Sequence, residues 1–285
     1  MGDNGLRELT CEGATMTPFI CVTCGVQYTP SEQPPEHCLI CEDERQYIGL
    51  NGQQWTTAAE LGASHSNVLF EIEPNLLGIG ITPSFAIGQR ALLVKTPEGN
   101  ILWDCVPLLD DTTRAAVAAQ GGIAAIACSH PHMYAAMVEW SHAFDAPIYL
   151  SAADREWAMR PDPMIQWWEG DTQAMPGGTT MIRCGGHFPG SSVLHWPVGA
   201  DGRGAILTGD TIFVVSDRRY VTFMYSYPNS IPLDPAAVRH IVDAVQPYRF
   251  DRIYSAFERG VCASDGAAAV TRSAERYIAA LQGQH

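Results

Sequence analysis

Two groups of residues carry the types and spacings that metal chemistry needs. The first is Cys21-Val-Thr-Cys24-Gly25 followed by Cys38-Leu-Ile-Cys41, two C-x-x-C knuckles with 13 residues between them. Each knuckle can set two thiolates on one ion through a tight turn, and Gly25 permits the close backbone approach of such a turn. Together they complete a tetrahedral S4 site, suited to structural zinc or to iron. Four thiolates fill the site, so no position is left for substrate. A redox C-x-x-C is disfavoured because no strand–helix–strand context surrounds it.

The second group is histidine-based. Ser129-His130-Pro131-His132 follows the apolar run Ile123–Cys128. If that run is a strand, His130 and His132 leave its end on one side and can chelate a metal. The competing reading is two surface histidines at a helix start. Gly186-His187-Phe188-Pro189-Gly190-Ser191 puts a third histidine in a Gly/Pro turn before a strand, and Leu207-Thr208-Gly209-Asp210-Thr211 puts an aspartate at the end of another. Strand ends are where open α/β sheets place their chemistry.

The elements that must position these groups are legible in outline. Four of the nine cysteines fall in a Pro-containing stretch without helical periodicity, a unit too small for a core of its own. From Thr56 onward short β-rich runs alternate with Ala-rich helical ones. Strands are expected at 68–72, 91–95, 101–103, 123–128, 147–150, 179–183, 193–196, 205–207 and 250–254. Thr96–Asn100 reads as a hairpin turn. Helices are expected at 111–120 with Asp111 as N-cap, at 133–144, at 152–159, from Asp234-Pro235 onward and over 265–281. Trp167-Trp168 falls in a Pro-rich stretch read as irregular, a lid or a subunit anchor, and on that ground a homo-oligomer is left open. The pattern is α/β, with sheets covered by helices.

Composition bounds the partners. The 285 residues are 46% hydrophobic, enough for a packed core, and carry 17 Lys+Arg against 31 Asp+Glu, a net charge of −14. That balance argues against nucleic acid and against an anionic membrane surface, leaving a small-molecule substrate as the expected partner. No apolar run reaches the roughly 18 residues of a spanning helix. Residues 1–15 lack a basic start and an apolar stretch, read as poorly ordered, and leave Met16 as an alternative start. A cytoplasmic location follows as the expectation, in which cysteines serve as metal ligands or core residues rather than disulfides.

The stretch Cys21 to Cys41, with Tyr28 and Pro35-Glu36 between the knuckles, resembles the knuckles of rubredoxins and rubrerythrins, whose scaffold holds iron or zinc. Residues 65–285 resemble the metallo-β-lactamase superfamily, whose pattern is H-x-H-x-D-H, then G-H-x-P-G-S, then T-G-D, then a late histidine. Here the pattern is met by His130 and His132, by Gly186–Ser191, and by Thr208-Gly209-Asp210, while Asp104 resembles the family's early strand-end aspartate. The resemblance implies a four-layer αβ/βα sandwich over 56–285, preceded by a rubredoxin-like zinc ribbon over 16–50. It also implies one metal, zinc or alternatively iron, on His130, His132, His187 and Asp210.

The departures restrict the chemistry. Tyr134 and Ala135 stand where the family has Asp-His, and Ser255–Gly260 contains no late histidine. Those groups normally build a second metal site, so a single metal is expected. A lone zinc with bound water suits hydrolysis of an ester, thioester or lactone. Asp210 or Glu258 is then the candidate general base, and Tyr134 a candidate donor to a developing oxyanion. His130, His187 and Asp210 alone would be a 2-His-1-carboxylate iron triad of the kind used by persulfide dioxygenases, and a non-catalytic metal-binding protein is the third reading. Arg219, Tyr225 and Tyr227, in the aromatic segment after Asp210, are candidate substrate-binding residues. Cys128, Cys184 and His195 read as packed core residues.

Overall fold

The computed structural model describes residues 15–284. The expectations for residues 1–14, Cys11 among them, fall outside the described residues. In the N-terminal unit, β1 (Ile20–Cys21) pairs antiparallel with β2 (Trp55–Thr56), and the one-turn helix α1 (Leu39–Glu42) follows Cys38. The unit buries its four cysteines with Val26, Tyr28 and Ile40, so the sulfurs take the place of a conventional core. It lies directly on the rest of the chain: Gln27 N–H donates to Ala135 O at 3.1 Å and Thr29 N–H to Met159 O at 3.1 Å. Gly25 sits at φ +80°, where a Cβ would stand 2.5 Å from Pro107 Cγ, so both the turn and the contact require glycine. Helix α2 (Ala58–Gly62) follows, with Thr57 and Glu60 forming a reciprocal capping box.

The first sheet has seven strands in sequence order: β3 (Ser66–Glu73), β4 (Leu76–Thr82), β5 (Ala91–Val94), β6 (Ile101–Trp103), β7 (Ala125–Ala127), β8 (Ile148–Ser151) and β9 (Ile165–Trp168). Pairing is antiparallel from β3 to β6 and parallel from β6 to β9. Helices α3 (Asp111–Ala119) and α4 (Met137–Phe144) are crossovers between parallel strands. The second sheet has six strands ordered β10 (Thr172–Ala174), β11 (Thr180–Arg183), β12 (Ser192–Trp196), β13 (Ala205–Leu207), β18 (Arg252–Tyr254) and β19 (Val261–Cys262). Between β12 and β18 lie the turn α5 (Gly199–Gly202), two small hairpins, β14 (Phe213–Val214) with β15 (Val221–Thr222) and β16 (Met224–Ser226) with β17 (Ile231–Pro232), and helix α6 (Pro235–Val245). Helix α7 (Gly266–Leu281) closes the described chain.

Strand alternation builds the layers. In β5, β6 and β7, Leu92, Val94, Ile101, Trp103, Ala125 and Ala127 point to the middle of the molecule, where they meet Met181, Leu194, Trp196, Ala205 and Leu207 of the second sheet. The intervening Ala91, Leu93, Leu102 and Ile126 face outward onto Val117 of α3 and Val138 and Trp140 of α4. On the opposite side Ile182, Val193 and Ile206 face Val238 and Ile241 of α6 and Ala269 and Val270 of α7. The result is the four-layer αβ/βα sandwich.

Several elements depart from expectation. The N-cap of α3 is Asp110, whose carboxylate accepts from Thr113 N–H at 2.7 Å, because Asp111 is already helical. The helix expected from Met133 begins at Met137, since Pro131–Met133 makes a 3-10 turn and Ala135 takes φ +41°. Ala152–Trp157 is 3-10 rather than α, broken at Asp154, whose side chain is drawn away to accept from Gly190 N–H at 2.7 Å. Trp167-Trp168 is not irregular: it forms the edge strand β9, with Trp168 buried between the sheets and Trp167 packed on the helix side.

Candidate functional site

The four sulfurs of Cys21, Cys24, Cys38 and Cys41 converge, with Cys21 Sγ 3.6 Å from Cys41 Sγ and Cys24 Sγ 3.7 Å from Cys38 Sγ. These are contact distances, not disulfides, and they match the roughly 3.8 Å edge of a tetrahedron with metal–sulfur bonds of about 2.3 Å. Tyr28 Oη donates to Cys38 Sγ at 3.4 Å and Gln53 Nε2 to Cys21 Sγ at 3.3 Å, donors that favour thiolate over thiol. Burial, together with the neighbouring sulfurs of Cys21, Cys38 and Cys41, pushes the Cys24 thiol well up, so its thiolate is costly unless a bound cation offsets the charge.

The histidine set lies where loops from both sheets meet. Asp104 directly follows β6; Ser129 and His130 follow β7; His187 lies between β11 and β12; Asp210 follows β13. His130 is extended (φ −170°, ψ 172°), whereas His132 lies in the 3-10 turn, so the pair is aimed by a bend rather than by simple strand alternation. The imidazoles of His130, His132 and His187 stand 4.8–5.1 Å apart by ring centroid. One donor atom from each, with a carboxylate oxygen of Asp210, falls within a 4.8 Å cluster of buried groups.

The second nitrogens of His187 and His130 are spoken for. His187 Nδ1 lies 2.8 Å from Tyr225 O and 3.2 Å from Met224 O, so it carries the proton and Nε2 turns inward as a lone pair, 3.3 Å from His132 Nδ1. His130 Nδ1 is 2.9 Å from Ser129 Oγ, leaving Nε2 without a hydrogen-bond partner and 3.5 Å from Asp210 Oδ2. Asp210 Oδ1 is also buried without a partner. Burial holds His132 well below the ordinary histidine range and His187 at about 4, so both present neutral nitrogens at physiological pH. Orphaned lone pairs on converging neutral imidazoles and a carboxylate are what a divalent cation satisfies, and the residues fit one metal.

Supporting groups fix this geometry. Asp104, at φ +61° and fully buried, accepts from Ser129 N–H at 2.7 Å, and burial raises its carboxyl to about 7. Gly209 at φ +52° allows the turn before Asp210 to lie on this loop, since a Cβ there would be 2.2 Å from Ser129 Oγ. Ser192 N–H donates to Ser129 O at 2.9 Å, tying the His187 loop of one sheet to the His130 loop of the other. Burial also raises Asp154, to about 6.

A cavity of about 360 Å³ opens onto His132, His187 and Asp210, walled by Ala86, Ile87, Phe213, Tyr227, Pro228 and Phe257 and by Arg45, Gln46 and Tyr47 from the N-terminal unit. Of the candidate groups, Asp210 and Tyr227 line it, and Tyr227 Oη donates to Asp210 O at 2.8 Å. Tyr225 stands beside it: its carbonyl accepts from His187, its ring lies 5.1 Å from the Arg45 guanidinium, and its hydroxyl donates to Glu44 at 3.1 Å. Three candidates are elsewhere. Tyr134 is buried in the helix-side core, where its hydroxyl is held protonated by burial. Glu258 is exposed and lines a separate cleft with Val68, Phe70 and Arg90. Arg219 pairs with Asp217 at 2.8 Å on another cleft beside Arg272. Cys128 and Cys184 are buried thiols, pushed up by burial, Cys184 to about 12, and His195 Nε2 meets Arg249 O at 3.0 Å, as packed residues do.

The contribution of Arg45, Gln46 and Tyr47 was missed by sequence reasoning. The available signal was one arginine directly after Glu42-Asp43-Glu44, a charge pattern with no metal-ligand spacing.

Comparison with known proteins agrees with this architecture. No protein-family profile matches the chain. An uncharacterized protein of Bacillus subtilis (strain 168), YmaE, is 48% identical over 271 residues, covering 94% of this chain and 98% of YmaE. Among solved structures, a Cronobacter sakazakii metallo-β-lactamase with a HARLDQ motif aligns with a TM-score of 0.51 at 19% identity, over 79% of this chain and 96% of that one. The DIM-1 metallo-β-lactamase aligns with a TM-score of 0.57 at 13% identity, over 75% and 98%. The chain belongs to one family with YmaE; it has the metallo-β-lactamase fold and, in its N-terminal unit, a cluster of four cysteines able to hold a metal ion.

Proposed function

We propose that this protein is a mononuclear metal-dependent hydrolase of a small ester, thioester or lactone. The observation that carries this is the His130, His132, His187 and Asp210 cluster at the foot of the 360 Å³ cavity, with no third metal-binding group among the described residues. Bound at that set, a divalent zinc ion would polarise a carbonyl and supply hydroxide near neutral pH. The chain's own contribution is orientation. Tyr225 and Met224 carbonyls hold the His187 tautomer, Ser129 holds His130, and Tyr227 fixes the backbone of Asp210. Asp210 is the general-base candidate that lines the cavity, and its Oδ1 has no other partner. Iron at the same residues, with oxygen chemistry, is the alternative that metal identity separates.

Elemental analysis of the wild type and of the His130→Ala/His132→Ala double variant tests this, alongside a panel of p-nitrophenyl esters, thioesters and lactones. Two metal equivalents are expected in the wild type and one in the variant, with hydrolysis confined to the wild type. Equal metal content in both proteins, or iron with oxygen consumption and no hydrolysis, overturns it.

A further inference from the structure

The cavity at the histidine cluster has one permanent cation in its wall among the described residues, Arg45, and that guanidinium is already engaged. Its Nε donates to Asp43 Oδ1 at 2.7 Å, its Nη2 to Asp43 Oδ2 at 3.2 Å and its Nη1 to His187 O at 3.4 Å, while its plane covers Phe188 at 4.0 Å. Asn229 Nδ2 ties down the same segment through Glu44 O at 2.8 Å and Gln46 O at 2.9 Å. Away from the metal-binding groups, Ile87, Phe213, Pro228 and Phe257 make the wall apolar. Such a cavity suits an apolar acyl group and offers an anion little.

Positive charge gathers next to it. Phe213 and Phe257, with rings 5.8 Å apart, also wall a second cavity of about 340 Å³ that reaches Arg218 and Arg259. Arg218 in turn lines a third, of about 610 Å³, with Arg219, Tyr220, Asp265 and Arg272. The three follow the β14–β15 hairpin. Arg218 is five residues beyond Phe213, so their Cα atoms are at most roughly 17 Å apart.

The loop that carries these arginines is fixed on α7. Val221 N–H donates to Ser273 Oγ at 3.0 Å, Arg272 Nε to Arg219 O at 3.1 Å and Tyr220 N–H to Asp217 O at 2.8 Å, and the Arg276 guanidinium lies 3.8 Å over the Tyr220 ring. Arg219 is taken by Asp217. Arg218 makes no ion pair or hydrogen bond among the described residues, and Arg272 directs only Nε and Nη2 at Arg219 O, leaving Nη1 uncommitted. Arg218, Arg219, Arg272 and Arg276 stand against Asp217 and Asp265, a local positive excess on a chain of net charge −14. Guanidinium groups held in place on a cleft match phosphate oxygens in charge and geometry.

We propose that the cleft of Arg218 and Arg272 binds the phosphate-bearing leaving group of an acyl ester or thioester whose acyl end lies in the metal cavity, the two joined past Phe213 and Phe257. Water adds its oxygen to the acyl carbon, the C–O or C–S bond to the carrier breaks, and the alcohol or thiol leaves with one of the water protons. A lactone, which has no separate leaving group, is then not the substrate. The substrate class rests on the hydrolase reading; the anion site does not.

The test uses S-butyryl-coenzyme A and S-butyrylpantetheine, which share the thioester end while only the first bears phosphates. The ratio of their kcat/KM values is measured for the zinc-loaded wild type, for Arg218→Glu, and for Arg114→Glu, which makes the same change of net charge on α3, at the opposite outer layer of the sandwich. Metal content establishes that the histidine site is filled in all three. The wild type is expected to prefer the coenzyme A thioester, and this preference to fall roughly tenfold in Arg218→Glu, the loss of one charged contact. Arg114→Glu is expected to keep it. A wild type without the preference, an unchanged ratio in Arg218→Glu, or an equal fall in Arg114→Glu overturns the proposal. Should the wild type hydrolyse neither thioester, the hydrolase reading loses its thioester branch, and calorimetric titration of the three proteins with coenzyme A and pantetheine tests the anion site alone. Tighter binding of coenzyme A that weakens only in Arg218→Glu sustains the cleft as the phosphate site; no binding, or binding that Arg218→Glu leaves unchanged, overturns it.

Discussion

Asp104→Asn isolates the electrostatic cost of preparing the histidine site. Asp104 is fully buried, and desolvation raises its carboxyl from 3.8 to about 7 despite the Ser129 N–H it accepts. The sign follows from proton counting. Between these two values the folded chain holds a proton that the unfolded chain has released, so stability falls as pH rises. Below pH 3.8 the carboxyl is neutral in both states and nothing is lost; above pH 7 the full penalty applies, about 4 kcal/mol for a shift of this size. Asparagine cannot ionise and carries no such penalty. In metal-free protein the stability of Asp104→Asn relative to wild type should therefore improve by about 3 kcal/mol between pH 5 and pH 8. Any pH-independent change in hydrogen bonding shifts both points equally, and the state of the four-cysteine site is common to both proteins and cancels. Urea unfolding followed by tryptophan fluorescence at the two pH values measures it. A stability difference that is the same at pH 5 and pH 8, or that moves the other way, refutes the reasoning.

Two other substitutions probe the positioning of the site. Gly209→Ala puts a Cβ 2.2 Å from Ser129 Oγ at φ +52°, so the turn before Asp210 must move. We expect loss of the histidine-site metal and destabilisation by about 2 kcal/mol or more, with the four-cysteine metal retained; wild-type metal content would contradict the packing. Cys38→Ser should release the N-terminal metal and, by loosening residues 43–47, depress ester hydrolysis at least tenfold although no group of the histidine site is altered. Retained far-UV circular dichroism would show the sandwich intact, and unimpaired hydrolysis would show that the wall is dispensable.

Much of the site was legible because its ligands sit at strand ends, where the change from an apolar run to Ser129-His130, or from Ala205–Leu207 to Thr208-Gly209-Asp210, is visible in one dimension. Helix α6 was equally readable, since Asp234 caps it through Ala236 and Ala237 N–H groups and Pro235 occupies its first turn. What could not be read depended on partners distant in sequence. The break at Ala135 belongs to a turn whose carbonyl receives Gln27 N–H from the N-terminal unit. Asp154 leaves helical geometry to bind Gly190, 36 residues away. Tyr134, Glu258 and Arg219 carry suitable functional groups close in sequence to site motifs, but sequence proximity does not determine which cleft a side chain enters. The cavity wall at residues 45–47 is the extreme case, because it is placed by Asn229 and His187 rather than by any local pattern.

The Arg45 bridge has a thermodynamic consequence. One guanidinium joins Asp43, two residues beyond the sulfur cluster, to the carbonyl of a histidine in the second cluster. If occupancy of the cysteine site orders this bridge and thereby favours the geometry of His187, the converse must hold by the same factor: filling the histidine site tightens the hold of the four sulfurs on their own ion. The two ions then share one free-energy cycle. A chelator drawing metal from either site would then meet a resistance that depends on whether the other site is filled.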